Sequence, residues 1–92
     1  MEDRRFRRSP DVVWRNVGRD VLLAPPGVPG YELLTGAGGQ LWRELAGAPT
    51  VAELTGALAV LFGVPSHDIL ADVEQMVRTL AAQQLVEPTD GL

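Results

Sequence analysis

Covalent chemistry has little to draw on in this chain: one histidine, His67, two serines, Ser9 and Ser66, and neither cysteine nor lysine in 92 residues. A nucleophile with an adjacent base would have to be assembled from very little, so no catalytic residue is expected. His67 has no second histidine or cysteine with which to share a metal, and the lack of thiols removes disulfides and thiolate ligands together. It is expected instead as an exposed residue at a helix start. Thr35-Gly36-Ala37-Gly38-Gly39 has the composition of a phosphate loop, but no Gly-Lys-Ser/Thr follows. Its glycines then need a packing reason, such as a close approach of helix to strand. Neither cofactor nor metal is implied.

Charge narrows the partners. Residues 1–19 hold six arginines against Glu2, Asp3 and Asp11, a balance of +3, whereas the remainder carries −7. The Arg-rich start reads as a solvated end rather than a nucleic-acid tail. No apolar run reaches 18 residues and no signal-peptide pattern is present, so the chain reads as cytoplasmic and soluble. At this length it is one domain, burying roughly 60 to 65% of the unfolded chain's surface.

The elements that would position a site follow one another in order. Residues 1–10 are polar, aperiodic and end at Ser9-Pro10, which predicts an extended or frayed arm; the domain spans 11–88, and 89–92 form a tail. Val12 to Val17, Val21 to Ala24 and Tyr31 to Leu34 read as three short strands of a meander, with a turn at Gly18-Arg19-Asp20 and a Pro/Gly-rich loop from Pro25 to Gly30. Three helices follow, with start signals at Thr35, Thr50 and Ser66. The first carries Ala37, Leu41, Trp42 and Leu45 and stops at Gly47-Ala48-Pro49. The second has Thr50 and Glu53 at capping-box spacing, an apolar stripe of Val51, Leu54, Leu58, Leu61 and Phe62 expected as core, and Gly63 as its stop. The third runs from an N-cap at Ser66 to about Gln84, with Asp68 in its first turn. Its apolar band (Ile69, Leu70, Val73, Met76, Val77, Leu80) is wider than one packing face requires, leaving an edge for a partner. Trp14 and Trp42 are expected to be packed; Asp72, on the flank of the band, could be solvated, paired with an arginine or set against a ligand. The fold class is α+β, winged helix-turn-helix-like, a three-stranded antiparallel sheet followed by three helices.

From Val21 onward the chain resembles the PqqD-like family, the recognition elements that bind leader peptides of ribosomally made, post-translationally modified peptides (RiPPs). The matching stretches are Val21-Leu22-Leu23-Ala24-Pro25, Tyr31-Glu32-Leu33-Leu34-Thr35, Gly38-Gly39-Gln40-Leu41-Trp42-Arg43-Glu44-Leu45, Thr50-Val51-Ala52-Glu53-Leu54 and Asp72-Val73 through Met76-Val77 and Leu80 to Leu85-Val86. They cover about three-quarters of the chain in order. The resemblance implies that a leader peptide adds as a fourth strand along Gly30, Tyr31, Glu32, Leu33 and Leu34. Its side chains would lie against a helix wall of Ile69, Asp72, Val73, Met76, Thr79, Leu80 and Gln83.

The implied function is that of a stand-alone RiPP recognition element, a peptide chaperone that presents the precursor to a separate maturation enzyme. The family often has Asn where this chain has Thr35 and Gly where it has Gln84, so the end of the third helix lacks the usual glycine. Members dedicated to pyrroloquinoline quinone assembly commonly show a Pro-Glu-Gly turn and a late Gly-Trp, and neither is present; another peptide pathway, lasso-type or radical-enzyme, is favoured. The competing readings are a winged-helix DNA binder and a leader-independent interaction scaffold. Between Ser66 and Gln84 the charge is −2, which would repel that helix from a major groove.

Overall fold

Two adjoining apolar–polar alternations set the sheet. The structure, a computed structural model, describes residues 4–89. Strands β2 (Val13–Val17), β3 (Asp20–Ala24) and β4 (Glu32–Leu34) form an antiparallel meander in that order. Its register sets Trp14 opposite Leu23 and Val21 opposite Leu34, so these four share the core face, while Arg15, Leu22 and Leu33 share the other. Gly18, at φ 62°, makes the tight turn between β2 and β3.

Three helices cover the inner face: α1 (Ala37–Glu44), which tightens into a 3-10 turn over Leu45–Gly47, α2 (Val51–Phe62) and α3 (Ser66–Ala82). The capping box at α2 is complete. Glu53 N donates to Thr50 Oγ1 at 3.1 Å and Thr50 N donates to Glu53 Oε1 at 3.0 Å. Those bonds, with Arg5 Nη1 donating to the same carboxylate at 2.9 Å, hold the Glu53 carboxyl below its ordinary range, the Thr50 N–H contributing most. The other two caps differ from expectation. Neither Thr35 nor Ser66 caps with its side chain; Gly36 and Pro65 occupy the N-cap positions, and Ser66 is the first helical residue. Gly36 sits at φ 53°, ψ −121°, a backbone state closed to other residues, so the chain turns into α1 there rather than at Thr35.

Helix α3 ends at Ala82, short of Gln84, because Gln84 itself takes the left-handed conformation at φ 62°. Leu85 N then donates to Leu80 O at 2.9 Å and Gln84 N to Ala81 O at 3.0 Å, a Schellman-type closure. A side chain in this conformation costs about 1–2 kcal/mol, and glycine's extra chain entropy offsets part of that. Gln84→Gly is therefore expected to stabilise the fold by roughly 0.5–1 kcal/mol, read as a rise of a few degrees in melting temperature.

The Arg-rich start is not a frayed arm over its whole length. Phe6–Arg8 forms β1, which pairs antiparallel with β5 (Val86–Pro88) in a separate two-stranded sheet. Phe6 is 5% exposed within the main core, and its N–H donates to Pro49 O at 3.0 Å. Arg7 pairs with Glu87 at 3.0 Å. Arg8 lies 4.6 Å from the Trp14 ring centroid and 5.9 Å from that of Trp42; partial burial lowers its guanidinium pKa. The expected arm thus supplies a strand, while residues 1–3 and 90–92, parts of the expected arm and tail, lie outside the described residues.

Trp42, fully buried, packs edge-on to Trp14 with centroids 6.1 Å apart, and Leu23, Leu41, Leu45, Leu54, Val77 and Leu85 complete the centre. Gly39 shows why glycines open α1. A Cβ there would lie 3.1 Å from Arg19 O, in the turn before β3, and 3.2 Å from Leu34 O of β4, two backbone oxygens that cannot swing aside. Gly39→Ala is expected to cost about 1–3 kcal/mol of stability, measured by urea denaturation, because α1 must lift from β3 and β4. No helix of the described residues is long and apolar enough to cross a membrane.

Candidate functional site

Strand β4 is an edge: among the described residues it pairs with β3 alone, so its far side keeps unpaired backbone donors and acceptors. Gly30, at φ 101°, leads into it; Tyr31 and Leu33 are 78% and 50% exposed. The end of helix α3 reaches this strand. Gln83 Nε2 donates to Glu32 Oε1 at 3.5 Å, which ties the end of the helix to the start of the strand. At the other end Gly38 lies between them. A Cβ built on it would be 3.7 Å from Leu34 Cβ and 4.0 Å from Met76 Sδ, ordinary contact distances, so α1 floors the space between β4 and α3 here.

That floor opens into an apolar pocket of about 130 Å³. Ala37 and Leu41 of α1, Leu58 and Phe62 of α2, and Ile69, Val73 and Met76 of α3 line it, with Asp72, itself exposed, at its edge. Four of the residues inferred from sequence therefore converge: Ile69, Asp72, Val73 and Met76. Gln83 caps the end of the same helix and stands against Glu32. Thr79 is exposed, its hydroxyl donating to Gln75 O at 3.0 Å. Leu80 is 2% exposed, so the structure places it in the core behind the wall, where it anchors α3 rather than offering a surface.

The pocket also draws on Ala37, Leu41, Leu58 and Phe62, which the sequence presents only as members of core stripes. The core covers α2 as far as Ala59, and on α3 the first buried residue is Val73. Both helices therefore project past the core around their connecting turn. Leu61 and Phe62, expected inside, are 53% and 47% exposed for that reason, alongside Val60 and Leu70. His67 is exposed at the start of α3, its Nε2 3.1 Å from Asp68 Oδ1.

An unpaired strand edge near an apolar helix wall can hold an extended chain. Comparison with protein families matches residues 20–86 to the model described as "Coenzyme PQQ synthesis protein D (PqqD)". The chain belongs to the PqqD family. The matched span contains β3, β4, all three helices and the whole of the groove just described, and leaves β1 and β2 outside it. This PqqD-family chain superimposes on a solved structure described as "TbiB1 in Complex with the TbiA(beta) Leader Peptide" with a TM-score of 0.79. The two share 23% sequence identity over 88% of this chain and 94% of that chain, a likeness of fold. Comparison with curated proteins finds no match.

Proposed function

We propose that this protein is a stand-alone recognition element that binds the leader peptide of a ribosomally synthesised precursor and presents it to a separate maturation enzyme in the cytoplasm. The leader adds as a fourth strand on β4, with every second side chain turned toward α3. Main-chain hydrogen bonds to the β4 edge supply affinity independent of sequence, and the apolar pocket supplies choice. Binding raises the concentration of the precursor at an enzyme that holds this protein, and the chain itself makes and breaks no covalent bond.

The observation that carries this reading is the unpaired β4 edge, together with the open apolar pocket that α3 lines with α1 and α2. Membership of the PqqD family and the leader peptide bound to the similarly folded TbiB1 support it. A DNA-binding role is disfavoured by the acids on α3: Asp68, Asp72 and Glu74 against Arg78 alone. The test is fluorescence-anisotropy titration of the purified chain with synthetic leader segments of short precursor peptides encoded beside its gene, with a DNA duplex as control. Micromolar or tighter binding to one leader, and none to the duplex, is the expected result. Salt-sensitive binding to the duplex with no leader bound would replace this reading with nucleic-acid recognition.

A further inference from the structure

We propose that Asp72 is a specificity-determining residue: the groove selects a leader in which an apolar anchor residue has Lys or Arg two positions away. This rests on the leader-binding reading and names the chemistry of the peptide that reading requires. Asp72 is the sole charged residue among those lining the apolar pocket. The other acids of α3 have partners, Asp68 beside His67 and Glu74 with Arg78 at 3.6 Å; Asp72, exposed, has none among the described residues. Arg78, the one cation of α3, is engaged by Glu74, so no positive charge of the helix offsets Asp72.

Spacing matches the pair to a strand. Alternate residues of an extended peptide lie on one face at roughly 6.6 Å intervals. Asp72 and Met76, one helical turn apart, are separated by about 6 Å along the axis. A peptide on β4 that places an apolar side chain into the pocket beside Met76 therefore brings the same-face neighbour at i+2 or i−2 level with Asp72. A lysine or arginine there meets a carboxylate with no competing cation, and its apolar stem continues along the helix wall. Glutamate or aspartate at that position meets a like charge.

The test uses labelled leader segments of the precursor encoded beside the gene, with the apolar anchor located by alanine scanning. Each is remade with Lys, Gln or Glu two positions to either side. An exposed ion pair supports about a threefold preference for Lys over Gln, and the added repulsion about tenfold for Lys over Glu. The order is expected to collapse in Asp72→Asn, to reverse in Asp72→Lys, and to shrink at about 1 M salt. Both variants are surface changes whose folding is checked by thermal melts. Leaders that bind equally well with Lys, Gln or Glu, or an order unmoved by Asp72→Asn, would overturn the inference while leaving leader binding intact. Absence of any titration with every leader segment would instead remove the leader-binding reading and this inference with it.

Discussion

Met76→Asp is expected to weaken leader binding at least tenfold, about 1.4 kcal/mol, while the protein remains folded. Met76 is half-buried, packs against the core cluster, and lines the pocket from the α3 side with its sulfur near Gly38. A carboxylate placed there faces apolar walls that offer it no hydrogen bond. A bound leader would strip the remaining water from it, a cost of several kcal/mol if the charge were fully buried. Aspartate also sits one turn from Asp72, adding like-charge repulsion. The measurement is an anisotropy titration beside a thermal melt, with Arg5→Ala as the control. Arg5 bonds Ala48 O and Glu53, neither of which belongs to β4, α3 or the pocket lining, and its loss should leave affinity within twofold. Equal losses in the two variants would contradict the assignment of the groove.

Phe6→Ala is expected to destabilise the fold by about 3 kcal/mol or more, a large share of the total for a domain of this size. Phe6 lies in the run Arg4-Arg5-Phe6-Arg7-Arg8, yet its ring is 5% exposed. Its strand is fastened on both sides. Thr89 N donates to Arg5 O and Ser9 N to Leu85 O, each at 2.9 Å, and Phe6 N reaches Pro49 O. Removing the ring leaves a cavity in the main core, which the fastened backbone cannot close. Urea denaturation measures the loss; a change below about 0.5 kcal/mol, as at an unstructured arm, would place β1 outside the cooperative unit.

The sequence was legible wherever an element is specified by neighbours. The Thr50–Glu53 capping box is closed within four residues and forms as its spacing predicts. The meander is legible from β-branched runs broken by Gly18 and the Pro25–Gly30 loop, and the α1 glycines announce a close approach to backbone, met at Gly39. The cap shifts at Gly36 and Pro65 were hidden because a side-chain cap and a turn one residue away have the same composition. Strand β1 was hidden for a different reason. It pairs with β5 across some eighty residues, Arg7 with Glu87, and three residues amid arginines carry no period that could reveal a partner so distant.

The candidate site divides along the same line. Ile69, Asp72, Met76, Thr79 and Gln83 recur every three or four residues, so helical geometry alone sets them along one side of α3. Whether that side looks onto solvent, core or a groove depends on how three helices and an edge strand meet, which no local pattern encodes. Only the tertiary structure placed Leu80 beneath the surface, brought Leu41, Leu58 and Phe62 into the pocket, and left Asp72 alone at its edge. The sequence by itself determined which faces are apolar, because burial follows from the period of each element. The packing of those elements decided which apolar faces are covered, because a crossing joins residues far apart in the chain and fills some of the space between them but not all.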